Sequence, residues 1–146
     1  MRILYFLIIA LIIAGCAEEK IREVKIEEKE PIAKEVKSIV FYTKVEVIDK
    51  NQPPNIVVSK DELDFGRLPQ GMSERKEILL ENNKDVYVQV SSDVNGSISK
   101  WIFFDKDKIL ISPKSNSAQI VILKVPANAT LGNYTGYVIF TIYEVK

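Results

Sequence analysis

A period of two in hydrophobicity, which begins near residue 38 and recurs to the end of the chain, most constrains the fold. In its first instance, apolar or small side chains recur at alternate positions: Ile39, Phe41, Thr43, Val45 and Val47. The residues between them, Tyr42, Lys44 and Glu46, then lie on the opposite face of a β-strand.

Short runs rich in β-branched and aromatic residues follow, at 56–59, 62–66, 74–81, 86–91, 98–104, 109–112, 118–125 and 134–143. Turn signals separate them, at 51–54, 68–71, 82–85, 95–96 and 131–133. Short strands at this spacing, with no long helical pattern between them, predict an all-β fold of the antiparallel sandwich type. The chain has 146 residues and no internal repeat, so we expect a single sandwich over residues 38–146.

The first sixteen residues, MRILYFLIIALIIAGC, predict where the chain is located. Arg2 and the terminal amine precede an apolar run over residues 3–14. A transmembrane helix needs roughly 20 apolar residues, whereas the core of a signal peptide needs only roughly 7–15. The run therefore predicts a signal peptide over residues 1–15.

The end of this run, Ile13-Ala14-Gly15-Cys16, resembles the lipobox of prokaryotic lipoproteins. In that family the thiol of the Cys receives a diacylglyceryl group and the signal peptidase cuts before it. The resemblance implies cleavage between Gly15 and Cys16, lipid on Cys16, and a location on the extracytoplasmic face of the cell membrane. Two or three acyl chains anchor a protein stably, which a single chain does not. The alternative is an uncleaved hydrophobic anchor, in which Cys16 has no special role.

Residues 17–37 mix acidic and basic side chains almost one for one and develop no wide apolar face. Glu18 and Arg22 have the spacing of a helical ion pair, and Pro31 ends any helix there. We predict that residues 16–37 are the lipidated cysteine and a solvated, charged tether. A partner-binding helix is the alternative.

Residues 125–136, VPANATLGNYTG, resemble the closing segment of immunoglobulin-like modules in prokaryotic surface proteins. In those modules a strand ends at a Pro, a loop crosses the sandwich and G-x-Y opens the next strand. Residues 63–66 and 78–82 resemble the first strands of such modules. The resemblance implies an immunoglobulin-like sandwich in which Tyr134 is a tyrosine corner, its hydroxyl bonded to upstream backbone. Gly136 stands where antibody domains carry their second Cys, so a disulfide-bearing domain is excluded.

Composition argues against several classes of function. The 20 basic and 20 acidic residues leave no net charge, so we expect no nucleic-acid binding. Histidine is absent and the one cysteine lies in the lipobox, which removes the usual catalytic bases and nucleophiles. Residues 73–76 match the S-x-x-K of serine β-lactamases, but they open a predicted strand and no K-T-G accompanies them. We therefore predict no enzyme, no cofactor and no small-molecule substrate.

Two acidic clusters are candidate cation sites. Asp105 and Asp107 begin like a calcium loop, but Ile109 and Leu110 follow where a ligand and a glycine are needed. The second cluster is Asp61, Glu62 and Asp64. Solvated strand-edge charge is our preferred interpretation of both, and we predict no metal site.

Three N-x-S/T sequons lie in predicted turns, where a glycan would be accessible. The asparagines that they offer for modification are Asn95, Asn128 and Asn133.

The run 100–104, KWIFF, is apolar on both faces of a predicted strand. We expect Trp101 in the sandwich core, as in the third strand of immunoglobulin folds. Ile102 and Phe104, on the opposite face, are then the candidate partner surface.

These observations together predict a lipid-anchored, extracytoplasmic lipoprotein that is a non-catalytic binding, adhesion or envelope-scaffold module with a protein partner. The alternative is an accessory lipoprotein subunit of a membrane transport, secretion or pilus complex. A hydrolase is the third hypothesis.

Overall fold

A computed structural model describes residues 34–57 and 62–145. The predicted signal peptide, the lipobox and residues 16–33 of the predicted tether lie outside this part of the chain. Within it the chain forms eight strands and one short 3-10 helix: β1 Lys34–Ile48, β2 Leu63–Pro69, β3 Ser73–Asn82, β4 Val88–Gly96, the helix Ser99–Trp101, β5 Ile102–Phe104, β6 Lys108–Ile111, β7 Ser115–Lys124 and β8 Gly132–Glu144.

The strands form two sheets. The larger sheet has the order β2-β1-β8-β4-β6 and the smaller sheet the order β3-β7-β5. All the strand pairs are antiparallel except β1 with β2, which is parallel. The prediction of an all-β fold is confirmed, and the two sheets are consistent with a sandwich.

The inward faces of the two sheets share one hydrophobic core. Phe140 of β8 has no exposed surface and lies at its centre. Its ring meets Phe41 of β1 at 5.9 Å and Phe104 of β5 at 6.3 Å, so it joins the larger sheet to the smaller one. Burying a side chain of this size contributes about 1.5–3 kcal/mol to the stability of the fold.

Strand β1 follows the predicted alternation. Thr43, Val45 and Val47 are buried, while Lys44 and Glu46 are half-exposed on the other face. The strand begins at Lys34 and therefore includes the last residues of the segment predicted as tether.

The chain between β1 and β2 differs from the sequence prediction. A strand is predicted at 56–59, of which residues 58–59 lie outside the described part of the chain. Ile56 and Val57 are not in a strand, and a single bridge forms just before them, between Asn55 and Arg67. β2 then continues to Pro69, into the predicted turn. Because β1 and β2 are parallel, the connection between them must cross to the other end of the sheet.

Candidate binding face

Exposed apolar side chains collect at the centre of the outward face of the larger sheet. In the β1–β8 register Tyr42 lies opposite Tyr137, and Val40 lies opposite Ile139. The two tyrosine rings are 5.6 Å apart, and 36% of Tyr42 and 47% of Tyr137 are exposed. Val40 is 54% exposed. We call these four residues the aromatic face.

The alternation of the two strands produces this face. Phe41 of β1 and Val138 and Phe140 of β8 pack in the core. Because side chains alternate along a strand, even-numbered residues of β1 and odd-numbered residues of β8 point outward. The sequence pattern already placed Tyr42 outward. Tyr137 lies on the opposite side of the sheet from Tyr134, because the two residues are three positions apart on one strand. Only the strand register shows that Tyr42 and Tyr137 are neighbours.

Polar residues border the aromatic face on both sides. On β4, Asp93 lies opposite Ile139 and Asn95 lies opposite Tyr137. On the other side, a groove of about 470 Å³ runs from Tyr42 toward Lys44 and Arg67. The face is therefore a small apolar centre with a polar rim, as in protein interfaces.

The charges of this groove are paired within the domain. The Nζ of Lys44 lies 3.0 Å from Glu62 and 3.3 Å from Asp64, and Arg67 lies 3.1 Å from Glu46. Hydrogen bonds to Glu62 and to Asp64 raise the pKa of Lys44 above its ordinary value of 10.5. While the two carboxylates are ionised, these bonds contribute fully to stability at pH values below about 10.5, and the contribution is lost as the pH rises past the folded-state pKa of Lys44.

The three predicted glycan acceptors are exposed. Asn128 lies in a turn, as expected. Asn95 lies in β4 and Asn133 in β8, so the expectation that these two lie in turns is wrong. The hydroxyl of Ser97, in the first sequon, donates to the backbone oxygen of Thr135 at 3.0 Å.

The predicted partner surface at Ile102 and Phe104 is wrong. Ile102 is buried and Phe104 packs against the core, whereas Phe103 is 46% exposed. Trp101 is half-buried and packs against the core, in line with the prediction, but it ends the 3-10 helix instead of occupying a strand. As a result, the residues after the helix alternate in the opposite sense to the prediction: Ile102 and Phe104 point inward and Phe103 points outward.

Tyr134 lies at the rim of the core. Its hydroxyl donates a hydrogen bond to the backbone oxygen of Thr130 at 2.8 Å, and its ring lies 4.2 Å from that of Trp101. The side chain is half-buried.

We expect Tyr134→Phe to lower the free energy of unfolding by about 0.5–1.5 kcal/mol, because it removes this hydrogen bond and keeps the ring. Tyr137→Phe is the matched control on the exposed face and should change stability by less than about 0.5 kcal/mol. Urea unfolding of both variants measures the difference. Equal effects would show that the hydroxyl of Tyr134 has no structural role.

The acidic cluster at 105–107 has a structural role. The Asp105 carboxylate accepts hydrogen bonds from the Nε2 of Gln119 at 2.8 Å and from the backbone N–H of Ile120 at 2.9 Å. The carboxylate thus accepts a hydrogen bond from the side-chain amide of Gln119, a residue that is completely buried. Of the other cluster, Asp61 lies outside the described residues, and Glu62 and Asp64 pair with Lys44. Among residues 34–57 and 62–145, no three His, Cys, Asp or Glu side chains are grouped so as to hold a metal ion.

The S-x-x-K match lies on β3. Ser73 and Lys76 are three residues apart, so they point to opposite faces of the strand. The Nζ of Lys76 donates to the backbone oxygen of Val57 at 2.6 Å. The two side chains therefore do not form a nucleophile and base pair.

The predicted cleavage and lipidation residues, Gly15 and Cys16, lie outside the described residues. In the described part of the chain, no helix has the length and hydrophobicity needed to cross a bilayer.

Comparisons of the chain with protein-family models, with curated proteins and with solved structures found no match.

Proposed function

We propose that this chain is a lipid-anchored lipoprotein on the extracytoplasmic face of the cell membrane, and that its immunoglobulin-like domain is a non-catalytic binding or scaffold module. In this proposal the aromatic face contacts a partner protein. The location rests on the short apolar run and on Ile13-Ala14-Gly15-Cys16. The immunoglobulin-like assignment is supported by the hydrogen bond from Tyr134 to the backbone oxygen of Thr130, four residues upstream, as in a tyrosine corner.

The exposed pair of Tyr42 and Tyr137 is the observation that carries the binding function. Tyrosine is enriched at protein interfaces because its ring buries a large area and its hydroxyl can still bond. The two rings and the flanking Val40 form one continuous patch, which a single partner surface can cover.

The chemistry of the rim favours a protein partner with few charges. Lys44 and Arg67 are already paired with carboxylates, and Asp93 and Asn95 border the other side. An anionic membrane surface requires clustered Lys or Arg, and the rim offers no such cluster among the described residues. An apolar, weakly charged protein surface therefore fits this face best.

A photo-reactive amino acid at position 137 of the full-length protein, expressed in its own host, tests this proposal. We expect irradiation of intact cells to give one discrete adduct heavier than the chain, and Tyr42→Ser to weaken it strongly. The mass of the adduct and its fractionation show whether the partner belongs to a membrane complex, which is the accessory-subunit alternative.

Position 110 provides the matched control. Leu110 is 61% exposed and lies on β6, at the edge of the same sheet. The same adduct from positions 110 and 137, an adduct of two copies of the chain, or no adduct at 137 would each contradict the proposed face.

A further inference from the structure

In the described part of the chain, strand β3 is an edge strand of the smaller sheet. β7 pairs with it over its whole length, from Ser73 opposite Lys124 to Asn82 opposite Ser115. Within residues 34–57 and 62–145, no strand pairs with its other side. An edge strand presents a row of backbone N–H and C=O groups that another strand can bond. We call this side of β3, residues 73–82, the β3 edge.

Open space follows the β3 edge. A cleft of about 550 Å³ is lined on one side by six consecutive residues from Glu74 to Leu79 and on the other by Ile56, Glu62 and Leu63. A second cleft of about 290 Å³ is lined by Ile78 to Lys84, among others. Phe41 of β1 lies in both clefts. β2 begins opposite Thr43, so among the described residues the part of β1 that precedes this pair has a strand on one side only. Both sheets therefore end on the same side of the domain.

The outward side chains of β3 include three charges, Arg75, Glu77 and Glu81, that form no ion pair among the described residues. Arg75 lies opposite Ile122, and Glu81 lies opposite Asn116. Between Arg75 and Glu81 lies Leu79, of which 56% is exposed.

We propose that two copies of this chain associate through their β3 edges, antiparallel and with twofold symmetry, so that the two smaller sheets become one continuous six-stranded sheet. A homodimer interface of this kind is isologous, which means that the edge must complement itself. The β3 sequence SERKEILLEN meets this condition in one central register.

The residue on the twofold axis decides which side chains face each other. Arg75, Lys76 or Glu77 on the axis would lie against its own copy, and like charges directly opposite are destabilising. Leu79 on the axis would place Glu77 opposite Glu81 of the second copy.

With Ile78 on the axis, the arrangement is complementary. Arg75 lies opposite Glu81 of the second copy, which gives two opposite-charge pairs by symmetry. Ile78 meets Ile78 of the second copy on the inward face, and Leu79 lies opposite Glu77 of the second copy. Of the registers centred on residues 75–79, this one alone has opposite charges facing and no like charges facing.

The inward charges of β3 further restrict the pairing. Glu74 and Lys76 point toward the other sheet, and inward charges are a common means of blocking indiscriminate strand addition. Pairing is then favoured where the edge is apolar, at residues 78–80. This inference does not depend on the aromatic face, which belongs to the other sheet.

Charge reversal tests the proposal on the full-length protein, purified in detergent from its own host, with mass determined by sedimentation. We expect wild type to form a dimer in a concentration-dependent manner. Arg75→Glu and Glu81→Arg alone should each raise the dissociation constant at least about tenfold, because each turns two attractive pairs into two repulsive ones. The double variant R75E/E81R should restore the dimer.

Lys50→Glu is the matched control, since it reverses a charge in an exposed turn outside β3. It should leave the dimer unchanged. A circular dichroism melt confirms that every variant is folded. A monomeric wild type, a dimer insensitive to the single reversals, or a double variant that stays dissociated would each overturn the proposal.

Discussion

Gly136→Ala should destabilise the domain by about 3 kcal/mol or more, at or beyond the upper end of the usual cost of overpacking. Gly136 lies in β8 opposite Gly96 of β4. A Cβ atom there would lie 2.0 Å from the backbone oxygen of Asn95 and 2.9 Å from Ile98 Cγ2. The backbone oxygen cannot rotate away as a side chain can, so β4 and β8 would have to separate. Urea unfolding of a fragment that begins at Pro31, where the compact unit starts, measures the effect.

Gly71→Ala is the matched control for this variant. At Gly71 φ is +80°, and the nearest atom to an added Cβ is 3.7 Å away, so only backbone strain results. That strain costs about 1–2 kcal/mol. If Gly136→Ala costs no more than Gly71→Ala, the close approach of β4 and β8 does not constrain the domain.

Cys16→Ser should abolish lipid attachment to the protein in its own host. Serine has no thiol for the diacylglyceryl group, so no acyl chain is added and the proposed peptidase does not recognise the site. The wild-type protein should partition into detergent and carry acyl mass on its N-terminal fragment. The variant should carry none, and should be either uncleaved or released. Phase partitioning and mass spectrometry of the N-terminal fragment check both points.

Ser38→Ala is a suitable control, since it changes an exposed hydroxyl position of the domain and leaves residues 1–16 intact. It should be processed and retained as wild type. Normal processing and retention of Cys16→Ser would contradict the lipoprotein proposal, whatever the domain binds.

The sequence predicted the long strands well because their alternation is regular. β1, β3, β7 and β8 lie where the pattern of period two placed them, with ends displaced by a few residues. The inward side chains of β1 are also those that the pattern indicated. In these strands burial on one face selects the residues directly, so local sequence carries the information.

The segment 98–104 could not be predicted from alternation. Its residues are apolar at nearly every position, so the pattern does not fix which ones point inward. The 3-10 helix that ends at Trp101 inverts the phase, and Ile102 is buried where Trp101 was expected. The hydrogen bond from the Tyr134 hydroxyl to upstream backbone was expected from the resemblance of residues 125–136 to immunoglobulin-like modules, and its acceptor is Thr130.

The candidate binding face depends on register between strands distant in sequence. Tyr42 and Tyr137 become neighbours because β1 pairs with β8, and no local pattern encodes that pairing. The β3 edge has the same origin, since a strand is an edge only with respect to the rest of its sheet. Asp105, which looked like a cation ligand, bonds to Gln119 because β7 lies beside it.

The pairing of β1 with β8 also determines how the domain carries mechanical load. The proposed tether enters at Lys34, the first residue of β1, and β1 is paired with β8 from that residue to Val47. Tension from the anchor would act along the strand, and the bonds of an antiparallel pair lie perpendicular to it. The hydrogen bonds between β1 and β8 would then be loaded in shear, so they would have to break together and not one after another. Tyr42 and Tyr137 lie on these same two strands. A force between a bound partner and the membrane would therefore be carried by β1 and β8 and not by the rest of the domain.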